Sequence, residues 1–388
     1  MLVQTLELEL TNDCNLKCVY CYRRKKHSDY LSKKTAFDAV IWFIHASAFS
    51  KEIYLAFMGG EPLLQFPLIK ELVPFAVRRS RQADKTIEIS ATTNCTLITN
   101  EVLDFFKRWR VRFHLSVDGI PHVQNQNRPT LCGKPTSEMV FHAVSSVLKI
   151  QPFVCARATI VPENVRFMLD SYTYFRKQGF TSIAMVASEP QLWNEDSLMH
   201  YKKSLKKIAK YWKEEIKSGV HIWCHSFSSV LLNRFRTERL GVPCGAGRGL
   251  ASIDLHGNIW PCNRWDSSFN EHWQEWKLGN IYEEFDGDVQ NYFMKGHTSI
   301  ATCSNCIANI FCAGGCYASN LDSTNEIGRH HSNACVINRI HAEIGIEIHD
   351  ELYAEKCPTF MEHYYPEEWK KLNSTETDED KNHVCGTP

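Results

Sequence analysis

A chain of 388 residues with 44% apolar side chains, 10 Trp and 21 Phe can bury a large core, enough for two or three domains or one large barrel with an appendage. Lys plus Arg equals Asp plus Glu at 44 each, so no global field favours nucleic acid or an anionic membrane, and no apolar run reaches transmembrane length. Sixteen cysteines without an N-terminal export signal read as metal ligands of a cytoplasmic protein rather than as disulfides.

From the N-terminus to about residue 217 the pattern is strand then helix. Predicted strands are Gln4–Leu10, Glu52–Phe57, Thr86–Thr92, Val111–Val117, Phe153–Val161 and Ser182–Ala187. Predicted helices include Lys33–Phe49, Pro67–Arg79, Ser137–Leu148, Val165–Gln178 and a lysine-rich Glu195–Lys217, whose charged face reads as solvated. Six β/α units imply an α/β fold with a parallel sheet and right-handed crossovers. Periodicity alone does not separate a doubly wound sheet from a partial barrel. Unusual residues cluster in the loops after the strands, where sites of such folds lie.

The first of these loops is Thr11-Asn-Asp-Cys14-Asn-Leu-Lys-Cys18-Val-Tyr20-Cys21-Tyr. Three thiolates spaced C-x3-C-x2-C cannot close a tetrahedral zinc site, which needs four ligands. They can hold three irons of a [4Fe–4S] cubane and leave the fourth open. After strand two comes Met58-Gly59-Gly60-Glu61-Pro62, with glycines that permit close backbone approach and a carboxylate acceptor. After strand three comes Thr93-Asn94-Cys95-Thr96, and strand four ends in Ser116-Val117-Asp118-Gly119. In this order the motifs resemble those of radical S-adenosylmethionine (SAM) enzymes. The resemblance implies a (β/α)6 partial TIM-type barrel with an open cluster iron that binds the amino and carboxylate groups of SAM. It places Tyr20 at the family's aromatic position and Gly59, Gly60 and Glu61 at the SAM amino group. Asn94 and Ser116 also fall at SAM-contact positions, and Asp118 either binds SAM or shapes the turn. Cys95 stands where the family usually has glycine, which implies a changed backbone around a packed thiol. Arg128, twelve residues past Ser116, is the favoured contact for the SAM carboxylate, with Arg157 on strand five as the competitor.

From Cys244 the composition changes. The order C-x12-G-x4-C, then C-x2-C-x5-C-x3-C, then C runs through Cys244, Gly257, Cys262, Cys303, Cys306, Cys312, Cys316 and Cys335. It resembles the SPASM extension of radical SAM enzymes, with zinc as the physical alternative for its C-x2-C pair. The resemblance implies two auxiliary iron–sulfur clusters, hence three [4Fe–4S] clusters in all. Cys303, Cys306, Cys312 and Cys335 would fill one; Cys244, Cys262 and Cys316 supply three ligands to the other. The stretch Thr237–Pro243 has no cysteine, so that cluster is either open or closed by Cys224. Gly245-Ala-Gly247 reads as backbone brought close to sulfur. The expected domains are a barrel at 1–220, a SPASM domain at 221–345 and a C-terminal helix with a polar tail at 346–388. Cys357 and Cys385 read as bystanders, and His330-His331 as a surface loop.

The resemblance implies reductive cleavage of SAM to a 5′-deoxyadenosyl radical and oxidation of a peptide substrate, with a reductant such as flavodoxin or ferredoxin. Two subclasses compete: maturases of ribosomal peptides, and anaerobic sulfatase maturases that make formylglycine. The second places a proton-accepting aspartate directly after the Cys262 position, where this chain has Asn263, which cannot serve as a base. That departure favours the peptide maturase. Asp266, Tyr317 and Arg264 fall near the expected site, with no role as base assigned to them. A non-catalytic iron–sulfur carrier is the alternative from another class, opposed by the SAM-binding motifs.

Overall fold

The computed structural model describes residues 3–23, 29–188, 192–235, 244–265, 271–283, 285, 287–295, 303–312, 314–330 and 332–379. Strand and helix alternate in the order β1 (Thr5–Glu9), α1 (Lys33–Ala46), β2 (Glu52–Met58), α2 (Phe66–Gln82), β3 (Thr86–Thr93), α3 (Asn100–Trp109) and β4 (Arg112–Ser116). They continue through α4 (Pro121–Asn127), α5 (Ser137–Ile150), β5 (Cys155–Ile160), α6 (Met168–Gln178), β6 (Ser182–Ala187) and α7 (Glu195–Lys217). Side-chain caps start the helices where the sequence supplies them: Ser32 accepts from the Thr35 N–H and Asn194 from the Ser197 N–H.

β1 to β6 pair in parallel and in chain order. Right-handed crossovers that always step in one direction place every helix on the same face of the sheet. A doubly wound sheet needs a reversal of strand order, so the partial barrel is the arrangement adopted. Burial agrees. Leu6, Leu8, Leu55, Phe57, Ile89, Ala91, Phe113, Leu115, Ala156 and Ala158 are buried on the helix side. The alternate residues Glu7, Tyr54, Ser90, His114 and Arg157 line the concave face and keep access to solvent.

The barrel does not stop at residue 220. Next come β7 (Trp223–Cys224), α8 (His225–Asn233), β8 (Leu250–Ile253), β9 (Asn258–Trp260) and β10 (Gly279–Asn280). β7 extends the sheet beyond β6, and β8 pairs in parallel with β1 on the other edge, followed by antiparallel β9 and β10. Residues past 220 thus complete both edges of one sheet. Then come α9 (Gly287–Lys295), α10 (Asn309–Cys312), which ends in Cys312, and α11 (Tyr317–Thr324), directly after Cys316; α12 (Ser332–Ala354), which holds Cys335, α13 (Pro358–Tyr364) and α14 (Pro366–Glu379) follow.

α12 packs back on α7 and α8. The lysine face of α7 is only partly solvated, because Lys202 pairs with Glu343 at 2.6 Å, Lys217 with Glu355 at 2.7 Å, and Lys213 with Glu351. The polar C-terminal stretch, expected as a tail, is helical as far as Glu379; Pro366 at its first turn fits a helix start. Cys385, Asp266, His331 and residues 237–243 lie outside the described residues. Among the described residues no helix is long and apolar enough to cross a membrane.

Candidate active site

The loop after β1 carries Cys14, Cys18 and Cys21, and its backbone is pinned on two sides. The Lys17 and Val19 N–H groups donate to Pro129 and Asn127 carbonyls at 2.9 and 3.0 Å. On the other side, Gly60 N–H reaches Thr11 O at 2.8 Å and Glu61 N–H reaches Asp13 O at 2.9 Å. The Leu16 N–H and Asn94 Nδ2 point at the Cys14 sulfur, at 3.5 and 3.8 Å. Burial pushes the Cys18 thiol up to about 11, against the pull of the Arg128 charge. Among the described residues no three His, Cys, Asp or Glu side chains are placed to share a single metal ion; a cubane instead spreads its ligands over separate irons.

Asp118 is the hub beneath this loop. Its buried carboxylate accepts from Tyr20 Oη at 2.5 Å, Asn127 Nδ2 at 3.2 Å, Arg128 Nη2 at 3.0 Å and the Thr159 N–H at 3.0 Å. The Arg128 guanidinium lies 5.3 Å from the Tyr20 ring centre; burial works against its charge, and the Asp118 carboxylate beside it keeps it charged. So two predicted SAM contacts, Asp118 and Arg128, are already committed to each other. Arg128 Nε is buried without a hydrogen-bond partner among the described residues. Ser116 sits elsewhere, in register with Arg157 across β4 and β5, and Arg157 is exposed on the concave face.

Glu61, also expected at SAM, is buried and accepts from the Leu63 N–H at 3.1 Å, Thr93 Oγ1 at 2.8 Å and the Asn94 N–H at 2.7 Å. Burial dominates over these donors and raises its carboxyl to about 7. Glu61 therefore ties the β2 loop to the β3 loop. Gly59 and Gly60 are glycines for a reason the sequence did not reveal. A Cβ at Gly60 would lie 2.0 Å from Asp13 O, and one at Gly59 2.4 Å from Thr11 O. Their close approach is to the cysteine loop itself. Cys95 adopts φ +71°, the left-handed region that favours glycine, with its thiol buried at 1% exposure. The replacement of glycine by cysteine has thus left a glycine-type backbone in place.

Sequence reading missed Glu9 and Arg23. They form a buried ion pair, and Arg23 Nη1 also donates to Asn12 at 2.9 Å, bracing the two ends of the cysteine loop. The signal was the alternation Leu6-Glu7-Leu8-Glu9-Leu10, which puts both glutamates on one face. Glu7 accepts from the Asn263 N–H at 2.9 Å, so it joins β1 to the residue after Cys262.

The later cysteines fall into two fields. Burial raises the Cys262 thiol, and the charges of Glu7, Cys316 and Cys244 add to it. Burial likewise raises Cys335, followed by Cys312, Cys303 and Cys306. N–H donors face the first group: Ala246 N–H at Cys244, Arg264 N–H at Cys262, and Arg264 Nη1 at Cys316, 3.5 Å away. Asn338 Nδ2 donates to Cys312 at 3.3 Å. Cys224 is not with the first group. It pairs with Ile183 in β7, is buried, and burial pushes its thiol up to about 12; Tyr172, Tyr201 and Tyr364 feel its charge. Gly247 does not serve sulfur either, since a Cβ there would lie 2.5 Å from Phe293 Cγ. Tyr317 is buried with its ring 6.1 Å from that of Phe293, and His330 Nδ1 meets Gly314 O at 2.7 Å.

Residues 8–173 match the Radical SAM superfamily model. The chain carries a radical SAM domain. The cysteine-type anaerobic sulfatase-maturating enzyme of Clostridium perfringens is 24% identical over 330 residues, covering 79% of this chain and 86% of that protein. Among solved structures, anSMEcpe with AdoMet and the Cp18Cys peptide superposes with TM-score 0.73 at 21% identity, covering 90% of this chain and 99% of that one. SuiB of Streptococcus suis bound to precursor peptide SuiA superposes at 0.59 and 15% identity, covering 86% and 76%. The structural likenesses establish the fold. Radical SAM domains use one [4Fe–4S] cluster and SAM, and the three thiols with their N–H donors on one pinned loop suit such a cluster.

Proposed function

We propose that this chain is a radical SAM enzyme that oxidatively modifies a residue within a peptide. The observation that carries the reading is the open polar concave face of β1 to β6 below the Cys14–Cys21 loop, where Arg157, His114 and Glu7 stay accessible to solvent. When bound, the cluster and SAM supply a 5′-deoxyadenosyl radical able to take hydrogen from unactivated carbon. Cys14, Cys18 and Cys21 hold the cluster. Ser116 and Arg157, adjacent in register and on that face, receive the SAM carboxylate, a charge-assisted pairing. Asp118, Arg128 and Tyr20 fix the loop, and Glu61 with Asn94 fixes the β2 and β3 loops against Cys14. The anSMEcpe and SuiB structures with peptides support a peptide substrate.

Two auxiliary clusters complete this reading, a SPASM arrangement. Cys303, Cys306, Cys312 and Cys335 hold one, supported by their common electrostatic field. Cys244, Cys262 and Cys316 hold the other, with one iron open, because Cys224 lies in the helix-packed core. The reducing electron comes from a carrier such as flavodoxin or ferredoxin. Sulfatase maturation is the second reading, favoured by the likeness along 330 residues to the Clostridium perfringens enzyme. Asn263 opposes it, since an amide accepts no proton.

The test is anaerobic. Reconstituted protein receives SAM, a reductant, short peptides encoded beside its gene, and Cys- and Ser-type sulfatase peptides. Loss of two hydrogens from an encoded peptide, matched to 5′-deoxyadenosine and abolished by Cys18→Ala, supports the peptide maturase. Formylglycine in a sulfatase peptide selects the second reading. No deoxyadenosine at full iron loading refutes both.

A further inference from the structure

Arg264 makes four contacts that no other described residue combines. Its main-chain N–H points at the Cys262 thiol, its Nη1 donates to Cys316 Sγ at 3.5 Å and to Ser319 Oγ at 2.8 Å, and its guanidinium lies 5.7 Å from the Tyr22 ring centre. Tyr22 follows Cys21 directly in the radical loop. Two of the three thiols in the Cys244–Cys262–Cys316 group thus accept from one residue. The same residue rests on the loop that holds the other cluster. Asn94 at Cys14 and Asn338 at Cys312 are, by contrast, neutral amide donors. Hydrogen bonds to cluster sulfurs, and positive charge beside them, favour the reduced and more negative state. A guanidinium donor supplies both at once and holds its charge at any working pH. Among the described residues, the Glu7 carboxylate opposes this at Cys262 and Cys244.

We infer that Arg264 is a positioning residue for the auxiliary cluster held by Cys244, Cys262 and Cys316, raising its reduction potential through the N–H···S contact to Cys316 and seating it against Tyr22. The step it serves balances simply. With a cluster held there, a substrate that had already lost one hydrogen atom would give it one electron and solvent one proton, so the product would be two electrons more oxidised than the substrate. This inference rests on the auxiliary-cluster reading above.

The experiment keeps the two separate. In full-length protein with Cys14, Cys18 and Cys21 all changed to Ala, iron and sulfide are counted and the auxiliary signals are titrated by EPR against potential. If that protein assembles no cluster, the auxiliary reading fails and the role of Arg264 falls with it. If it does, Arg264→Gln is expected to lower the midpoint of one signal by about 59 mV, a tenfold change in a one-electron equilibrium. The second signal stays in place. Arg264→Lys keeps the charge without the planar fork and falls between the two. An unchanged midpoint in Arg264→Gln overturns the inference while leaving the clusters intact. Should Arg264→Gln lose the cluster, Arg264→Lys decides: a midpoint below wild type supports the assignment, and one equal to it overturns it.

Discussion

Replacing Asp118 with Ala tests whether the radical loop stands on a buried charge network. The carboxylate accepts four hydrogen bonds, from Tyr20, Asn127, Arg128 and the Thr159 N–H, and is itself fully buried. The Arg128 side chain is 8% exposed, so its charge has little water to turn to. Breaking a buried pair by removing one partner costs roughly 3–5 kcal/mol, mostly the uncompensated charge. The three neutral donors add to this, at about 1 kcal/mol or more for each that water fails to reach. A loss of about 4–6 kcal/mol is expected, a large part of the roughly 5–15 kcal/mol that holds a typical protein folded. The assay is anaerobic urea unfolding of the metal-free protein, followed by Trp fluorescence, with midpoints compared at a common slope. A second variant, Asp118→Ala with Arg128→Met, removes the stranded charge and should recover at least about 2 kcal/mol of the loss. A single-variant cost under about 1 kcal/mol, or a double variant no more stable than the single, would refute the network.

Other expectations follow from the same coordinates. Gly60→Ala drives a Cβ to 2.0 Å from Asp13 O, so the cysteine loop must move; iron bound at the three-cysteine loop should fall several-fold while helix content by circular dichroism is kept. Cys95→Gly should change stability by no more than about 1 kcal/mol, since relief at φ +71° offsets the lost packing of the thiol, whereas Cys95→Val, branched at Cβ, should cost at least about 2 kcal/mol in the same urea assay. Arg157→Met should weaken SAM binding roughly tenfold to a hundredfold by calorimetry, in line with loss of a charge-assisted bond of about 1.5–3 kcal/mol. His341 stacks on Tyr201, accepts its hydroxyl at 2.7 Å, and burial lowers its imidazole to about 4. Between about 4 and the unfolded value of 6.5 the unfolded chain binds the extra proton, so this contribution is complete above 6.5 and is lost as pH falls to 4. His341→Phe should flatten the stability profile across that window.

The barrel was legible because its signals are local and repeated. Each of the six predicted strands appears, β6 at the predicted bounds Ser182–Ala187 and the others within two residues at either end. Choosing barrel over doubly wound sheet needed strand order, which is a long-range property and leaves no trace in periodicity. The edge strands β7 to β10 escaped for another reason. They run two to four residues each, too short for alternation to register, and β8 is recruited by pairing with β1 some 245 residues away. The two later groupings were implied by the family resemblance and not by spacing, and Cys224 was a candidate only because distance along the chain says nothing about which face of a strand a thiol occupies.

Motif residues divide by whether the protein itself satisfies them. Asp118, Glu61, Gly59 and Gly60 sit at positions the family motifs mark for SAM, yet their hydrogen bonds and close approaches are made within the chain. A carboxylate with four protein donors has little capacity left for a ligand, and at each glycine a neighbouring carbonyl accounts for the missing Cβ. Ser116 and Arg157 differ: one is half-buried, the other exposed, and both face the concave interior. On the proposed reading the saturated residues make the loop rigid, and the unsaturated ones meet what enters the barrel. Substitutions in the first set should lower stability and cluster assembly together, while those in the second should lower ligand affinity with the urea midpoint unchanged. A variant such as Arg157→Met that shifted the midpoint as far as Asp118→Ala would erase the distinction.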